Sequence, residues 1–312
     1  MSNPLVSVIC LCYNQASLVE DAIGSVIHQA YENLELIVID DASTDESKLI
    51  IKKLSGIHGF KTIYNPFNQG NCRSFNIGFK HSKGKYIIDL AADDQLMSTR
   101  IANGVKTLEA KGNEYAVDFC DVELINENGK SNGTHFKRDK HGKLIENVPE
   151  GDIYTTLVER YFLSAPSMIM RRNVLEELNG YDENLSYEDF DFWVRSSRNH
   201  KYVFTNKVLV KKHIPHQSLS TIQYERKNKH CISTAKVCEK IFTLNKTHEE
   251  NKSLLKRINY ELKWALITEN WEASLKFIEL KKRLIKSHWT FALLKLIIKI
   301  KPAWYPLWKI IL

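Results

Sequence analysis

The stretch GKYIIDLAADDQLMS, residues 84–98, runs an apolar, strand-like segment straight into two adjacent carboxylates, Asp93 and Asp94, with no basic partner beside them. A second such run, LELIVID, closes on Asp40 and Asp41. Carboxylates crowded at strand ends repel one another and lose hydration. Something must compensate: a divalent cation, hydrogen bonds from ligand hydroxyls, or helix N-termini. One such pair is an ordinary helix-starting motif, whereas two at neighbouring strand ends point to a ligand site. A third acidic cluster, Glu188 and Asp189 in YEDFDFWVRSSR, falls near a helix start, where the macrodipole favours anions. Helix-starting acids are common, and alone this pair decides little.

The elements that must carry these residues can be read from hydrophobic period. LVSVICLCY (5–13) is a buried strand, and SLVEDAIGSVIHQ places Leu18, Val19, Ala22, Ile23, Val26 and Ile27 at helical spacing. Next come the strand LELIVID, a helix over 44–54, the strand KTIYN, a helix over 72–80, the strand KYIIDLA, the helix RIANGVKTLEA and the strand YAVDFCD. Ser43 and Glu46 have capping-box spacing for the second helix. The alternation predicts an α/β fold with a doubly wound, mostly parallel, Rossmann-like sheet, in which ligands bind at the carboxyl ends of the strands. Residues 122–150 are polar and turn-rich, a hairpin or a mobile excursion. DIYTTLVERYF then reads as a helix, PSMIMRR as a strand, and 173–199 as helix, Gly-ended loop and helix.

A chain of 312 residues, 43% hydrophobic and 26% charged, can bury a full core and suggests one large domain with an appendage. Its six cysteines are scattered without a C-x-x-C pair, and a strand pattern starts near the N-terminus without a signal peptide; a reducing, cytoplasmic location is expected. The net charge of +7 is uneven: residues 221–312 carry 19 Lys and Arg against 8 Glu, a surplus of 11, which leaves the first 220 residues at −4. That asymmetry argues against a nucleic-acid binder and leaves an anionic membrane surface or acidic partner for the C-terminal part.

Three segments, VSVICLCYNQASLVEDAIGSVIHQAYENLELIVIDDASTDES, NQGNCRSFNIGFKHSKGKYIIDLAADD and LNGYDENLSYEDFDFWVR, together resemble the family 2 glycosyltransferases, inverting enzymes of GT-A fold, over about the first 220 residues. The resemblance implies a catalytic domain at 1–220, a nucleotide-sugar donor, a divalent Mn or Mg ion, and transfer to an acceptor hydroxyl with inversion. By motif position it implies Tyr13 and Asp41 at the nucleotide base, Asp93 at the ribose, Asp94 on the metal and Asp189 as general base, with Glu188 orienting acceptor or donor sugar. Two departures stand out. Many members have Asp where this chain has Ala91, and the Arg of their third helix is displaced here to Arg73, beside a retained Asn76. Arg73 is the expected diphosphate contact. In VKKHIPHQSLSTIQ, His213 or His216 is a candidate metal ligand or pyrophosphate donor, with an incidental surface loop as the alternative.

The basic tail, 221–312, reads as helical. Its last segment, TFALLKLIIKIKPAWYPLWKIIL, is interrupted by Lys295, Lys299, Lys301, Pro302 and Pro306, so it lacks the roughly 20 apolar residues of a spanning helix. An in-plane helix at the inner-leaflet surface, with lysines on headgroups and Trp289, Trp304, Tyr305 and Trp308 at the interface, competes with a helix packed on the catalytic domain. With no spanning helix and no Q-x-x-R-W pattern, the expected reaction is addition of one sugar to a glycan or lipid-linked glycan acceptor in cell-surface polysaccharide assembly. Two other readings are a nucleotidyltransferase, whose Gly-rich phosphate loop is missing from CYNQAS, and a non-catalytic nucleotide-sugar-binding scaffold, which is expected to lose the acidic residues this chain keeps.

Overall fold

The computed structural model describes residues 3–214, 225–228 and 230–285. The chain divides into two compact units. The first comprises residues 1–153, 162–183 and 199–215, and the second 154–161, 184–198 and 216–312. A single boundary at residue 220 therefore groups the chain differently, because two short earlier segments join the C-terminal part.

The first unit is a sheet with helices. Its strands are β1 (Val6–Cys12), β2 (Leu34–Asp40), β3 (Lys61–Tyr64), β4 (Tyr86–Ala91), β5 (Asp94–Leu96), β6 (Tyr115–Ile125), β7 (Ser131–Thr134), β8 (Met168–Arg171) and β9 (Lys201–His213). They pair in the order β3-β2-β1-β4-β8-β6-β9-β5, with β7 on β6. Strands β1 to β4 pair in parallel, as do β6 and β9, while β8 is antiparallel to both β4 and β6. Strands β1, β2, β3, β4, β6 and β9 thus all run one way, and their carboxyl ends share one edge.

The apolar runs of β1, β2 and β4, buried over most of their length, are what a strand covered on both faces requires. Helices α1 (Val19–Ile27), α2 (Ser47–His58), α3 (Asn71–His81) and α4 (Arg100–Lys111) connect the first six strands, and α6 (Arg172–Glu177) follows β8. Val19, Ala22, Ile23 and Val26 of α1 and Ile101, Val105 and Leu108 of α4 join β1, β2 and β4 in one core cluster. The polar stretch 122–150 forms two turns: β6 and β7 pair as a hairpin, and Arg138 bridges to Leu144 beyond it. Buried Asp121 anchors this region, accepting from Phe136 N at 3.0 Å and Arg138 Nε at 2.6 Å.

The second unit is helical: α5 (Tyr154–Glu159), α7 (Asp189–Ser197), α8 (His230–Leu244), α9 (His248–Ile267) and α10 (Trp271–Leu284). Among the described residues no helix is long and apolar enough to cross a membrane. The in-plane helix expected near the C-terminus, and His216, lie outside the described residues.

Candidate active site

The β1–α1 and β2–α2 loops lie at the shared carboxyl edge and hold each other. Asn14, left-handed at φ 56°, donates its N–H to Ser43 Oγ at 2.9 Å, and its Oδ1 accepts from Thr44 N at 2.8 Å. Gln15 N reaches Ser47 Oγ at 2.9 Å and Ala16 N reaches Asp45 Oδ2 at 3.0 Å. Tyr13 stands on this braced backbone 46% exposed, an aromatic surface open to a planar ligand. The expected capping box does not form. Helix α2 begins at Ser47, Glu46 makes no side-chain cap, and Ser43 Oγ is taken by the distant Asn14 N–H.

Asp41 is buried and accepts three hydrogen bonds, from Asn65 Nδ2 at 2.8 Å, Gln69 N at 2.8 Å and Gly70 N at 2.9 Å. The first two share Oδ1, so Oδ2 keeps a lone pair beyond its bond to Gly70. Asp41 thereby ties down the loop that leads into α3. Its neighbour Asp40 is 1% exposed; Oδ2 accepts from Ser43 N at 3.3 Å, whereas Oδ1 has no partner among the described residues.

The opening pair sits where β4 passes into β5. Three residues of β5 pair antiparallel with β9, setting Asp94 opposite Lys212. Asp94 is 4% exposed; burial and the neighbouring Asp93 charge push its carboxyl well above the usual carboxylate range. Burial raises Asp93 too, and Lys212 and His213 offset part of that. Two neighbouring carboxylates raised in this way are stabilised in their charged form by positive charge beside them. His213, the last residue of β9, donates its N–H to Asp94 Oδ1 at 3.2 Å, and its ring Nδ1 meets the Asp93 carbonyl at 2.6 Å. A carbonyl only accepts, so Nδ1 carries the proton and Nε2 is the ring atom left to face a ligand.

Among the described residues no group of three or more His, Cys, Asp or Glu is arranged to hold a metal ion. A hard divalent cation beside a diphosphate takes one or two carboxylates from the protein and its other oxygens from phosphate and water. The Asp93–Asp94 pair can supply carboxylates of that number and kind.

Arg73 and Asn76 of α3 are engaged within the first unit. Arg73 Nε pairs with Glu183 at 3.0 Å. Asn76 Nδ2 donates to Tyr181 O at 2.9 Å and Glu183 Oε1 at 3.1 Å, and its Oδ1 accepts from Tyr181 N at 2.9 Å. The amide protons of Asn76 are thus both used in fastening the loop after α6. Gly180 in that loop has φ 72°, and a Cβ there would come within 2.4 Å of Asn76 Oδ1.

Glu188 and Asp189 belong to the second unit, Glu188 as the residue before α7 and Asp189 as its first residue. Asp189 Oδ1 accepts from the N–H of Phe190 at 2.6 Å, which satisfies one of the free donors of the helix's first turn.

Residues that sequence reasoning passed over support the Asp93–Asp94 turn. Gln29 donates to Met97 O at 2.8 Å and accepts from Ile101 N at 3.2 Å, stapling β5 to α4. Arg100, wholly buried, pairs with Asp118 of β6 at 2.6 Å and donates to Ser167 O at 2.6 Å. A fully buried ion pair fixes geometry more than it adds stability. All six cysteines are buried free thiols, and burial pushes the Cys12 thiol up to about 11, which disfavours the reactive thiolate.

With this geometry in hand, comparison with known proteins defines the class. Residues 7–178 match the model of Glycosyl transferase family 2, and the chain belongs to that family. An uncharacterized glycosyltransferase of Rickettsia prowazekii is 30% identical over 214 residues, covering 68% of this chain and 64% of the relative. One from Haemophilus influenzae is 35% identical over 199 residues, 62% of this chain and 61% of its own length. The matches thus span less than two thirds of these relatives. Among solved structures, residues 1–349 of S. aureus TarS in complex with UDP-GlcNAc superpose with a TM-score of 0.67 at 18% identity, covering 90% of this chain and 81% of that one. The mannosyltransferase PcManGT from Pyrobaculum calidifontis, in complex with GDP-Man and Mn2+, gives a TM-score of 0.59 at 18% identity, covering 99% and 84%. The fold is that of the GT-A glycosyltransferases, with a helical C-terminal region.

Proposed function

We propose that this protein is an inverting glycosyltransferase that moves one sugar from a nucleotide-diphosphate sugar to a hydroxyl of a glycan or lipid-linked glycan. The observation that carries the reading is the Asp93–Asp94 pair, with Asp94 buried and Asp93 half-buried, held against His213 at the carboxyl edge of the sheet. Family membership and two likenesses to donor-bound GT-A enzymes support it.

In this reading the nucleotide base lies on Tyr13 and its N–H donates to the remaining lone pair of Asp41 Oδ2. Asp93 accepts from a ribose hydroxyl. Asp94 and His213 would hold a divalent cation, which would supply neutralisation of the charge developing on the departing diphosphate. Asp189 accepts the proton of the acceptor hydroxyl as that oxygen attacks the anomeric carbon, and Glu188 orients a sugar hydroxyl. Arg73 and Asn76 act indirectly, through the Glu183 loop they fasten. UDP is the favoured nucleotide, the pathway is cell-surface polysaccharide assembly, and the basic tail rests on the inner face of a membrane.

Calorimetric titration tests donor and metal binding together. UDP binds wild type more tightly with Mn than without, and Asp94→Asn loses that difference. Equal UDP affinity in all four combinations removes the metal role, and no UDP, dTDP or GDP binding removes the donor site.

A further inference from the structure

The family match ends at residue 178, before the segment that carries Asp189. Within the second unit, helix α8 and helix α9 fasten that segment on both sides of Asp189. Ser186 N donates to Ser233 Oγ at 2.9 Å, and the Tyr187 hydroxyl lies 2.7 Å from Thr234 Oγ1. On the other side, Phe190 meets the Tyr161 ring edge-on at 4.8 Å, and the Arg257 guanidinium stacks on Tyr161 at 3.8 Å. Closest of all, Asp191 is 1% exposed and binds Lys240 Nζ through Oδ1 at 2.6 Å and Arg195 Nε through Oδ2 at 2.7 Å.

Asp191 cannot relax into water, so its two cations fix the first turn of α7. Of the two, Arg195 sits on the same helix, one turn on, and moves with it. Lys240 comes from α8 and ties this carboxylate to a different helix. Resting on the reading of Asp189 as general base, we propose that Lys240 is a positioning residue. Through Asp191 it fixes the start of α7 and so the direction of the Asp189 carboxylate.

The consequence is specific. A base displaced by about 1 Å loses on the order of a hundredfold in rate, while donor binding, assigned to residues of the first unit, is untouched. The test uses the full chain and release of nucleoside diphosphate from UDP-N-acetylglucosamine, UDP-glucose or GDP-mannose, taking the fastest. Lys240→Met is expected to lower kcat roughly tenfold to a hundredfold with donor KM and UDP affinity unchanged, and Lys240→Arg to recover most of the loss. In an Asp189→Asn background, Lys240→Met costs nothing further, because both changes act on one group.

Wild-type kcat in Lys240→Met, or a loss that simply adds to that of Asp189→Asn, overturns the positioning role while leaving Asp189 as base. A parallel fall in UDP affinity and melting temperature overturns it in favour of general destabilisation. Full activity in Asp189→Asn itself strikes the base assignment, and the inference with it.

Discussion

Ala42, directly after the Asp40–Asp41 pair, holds a left-handed backbone at φ 63°. An L side chain pays about 1 kcal/mol or more for that conformation, and glycine does not. Ala42→Gly therefore relieves local strain, although the freer unfolded chain offsets part of the gain. Chemical denaturation should show stabilisation of about 1 kcal/mol or less, with UDP affinity unchanged. Destabilisation would mean that the Ala42 methyl contributes contacts that outweigh the strain. The same turn shows why a residue type is easier to read than its partner. Adjacent carboxylates at strand ends were legible in the sequence but their partners were not: Asp41 is held by Asn65, Gln69 and Gly70, and Asn76 by a loop more than a hundred residues on.

Helix α9 is fastened at its start by a capping box between Thr247 and Glu250. Glu250 is 7% exposed and also pairs with Arg198 at 2.8 Å. Burial pushes its carboxyl up, but the N–H groups of Lys246 and Thr247 and the Arg198 guanidinium together hold it below the ordinary value of 4.5. A depressed carboxylate stabilises above its unfolded pKa and loses that contribution as pH falls through the folded one. Glu250→Gln should therefore melt below wild type at pH 7, with the gap closing as pH drops beneath 4.5. A gap independent of pH would assign the effect to packing. Elements with local signals were legible: the apolar runs of β1, β2 and β4 and the amphipathic stripe of α1 matched their observed ranges within a residue or two. Strands β5 and β9 were not. The first has three residues and exists only by pairing with the second, while β9 places Asn206 and Lys207 in mid-strand where its register against β6 slips. The segment VKKH reads as the start of a loop but is the end of β9, and that strand brings His213 to Asp93 and Asp94.

Over the whole chain, charge and architecture divide along similar lines. The first 220 residues hold the candidate donor residues and carry −4, whereas the later ones carry the basic surplus of 11. Residues 286–312 contain five lysines, three tryptophans and no acidic residue, the composition of a surface that meets anionic lipid. The full chain should sediment with phosphatidylglycerol vesicles but not with phosphatidylcholine, and deletion of 286–312 should abolish this while sparing UDP affinity. Sedimentation that survives the deletion would move the contact elsewhere. The fold class was legible because βα alternation is written in local periodicity, but the grouping of 154–161 and 184–198 with the C-terminal helices depends on long-range packing. The most direct test of the central claim is turnover of a panel of UDP-, dTDP- and GDP-sugars by wild type and Asp189→Asn, with and without Mn. The account predicts metal-stimulated release of nucleoside diphosphate from one donor class, falling by about a hundredfold or more in Asp189→Asn, the size of a general-base effect. Full turnover by Asp189→Asn, or none from any donor by wild type, would contradict it.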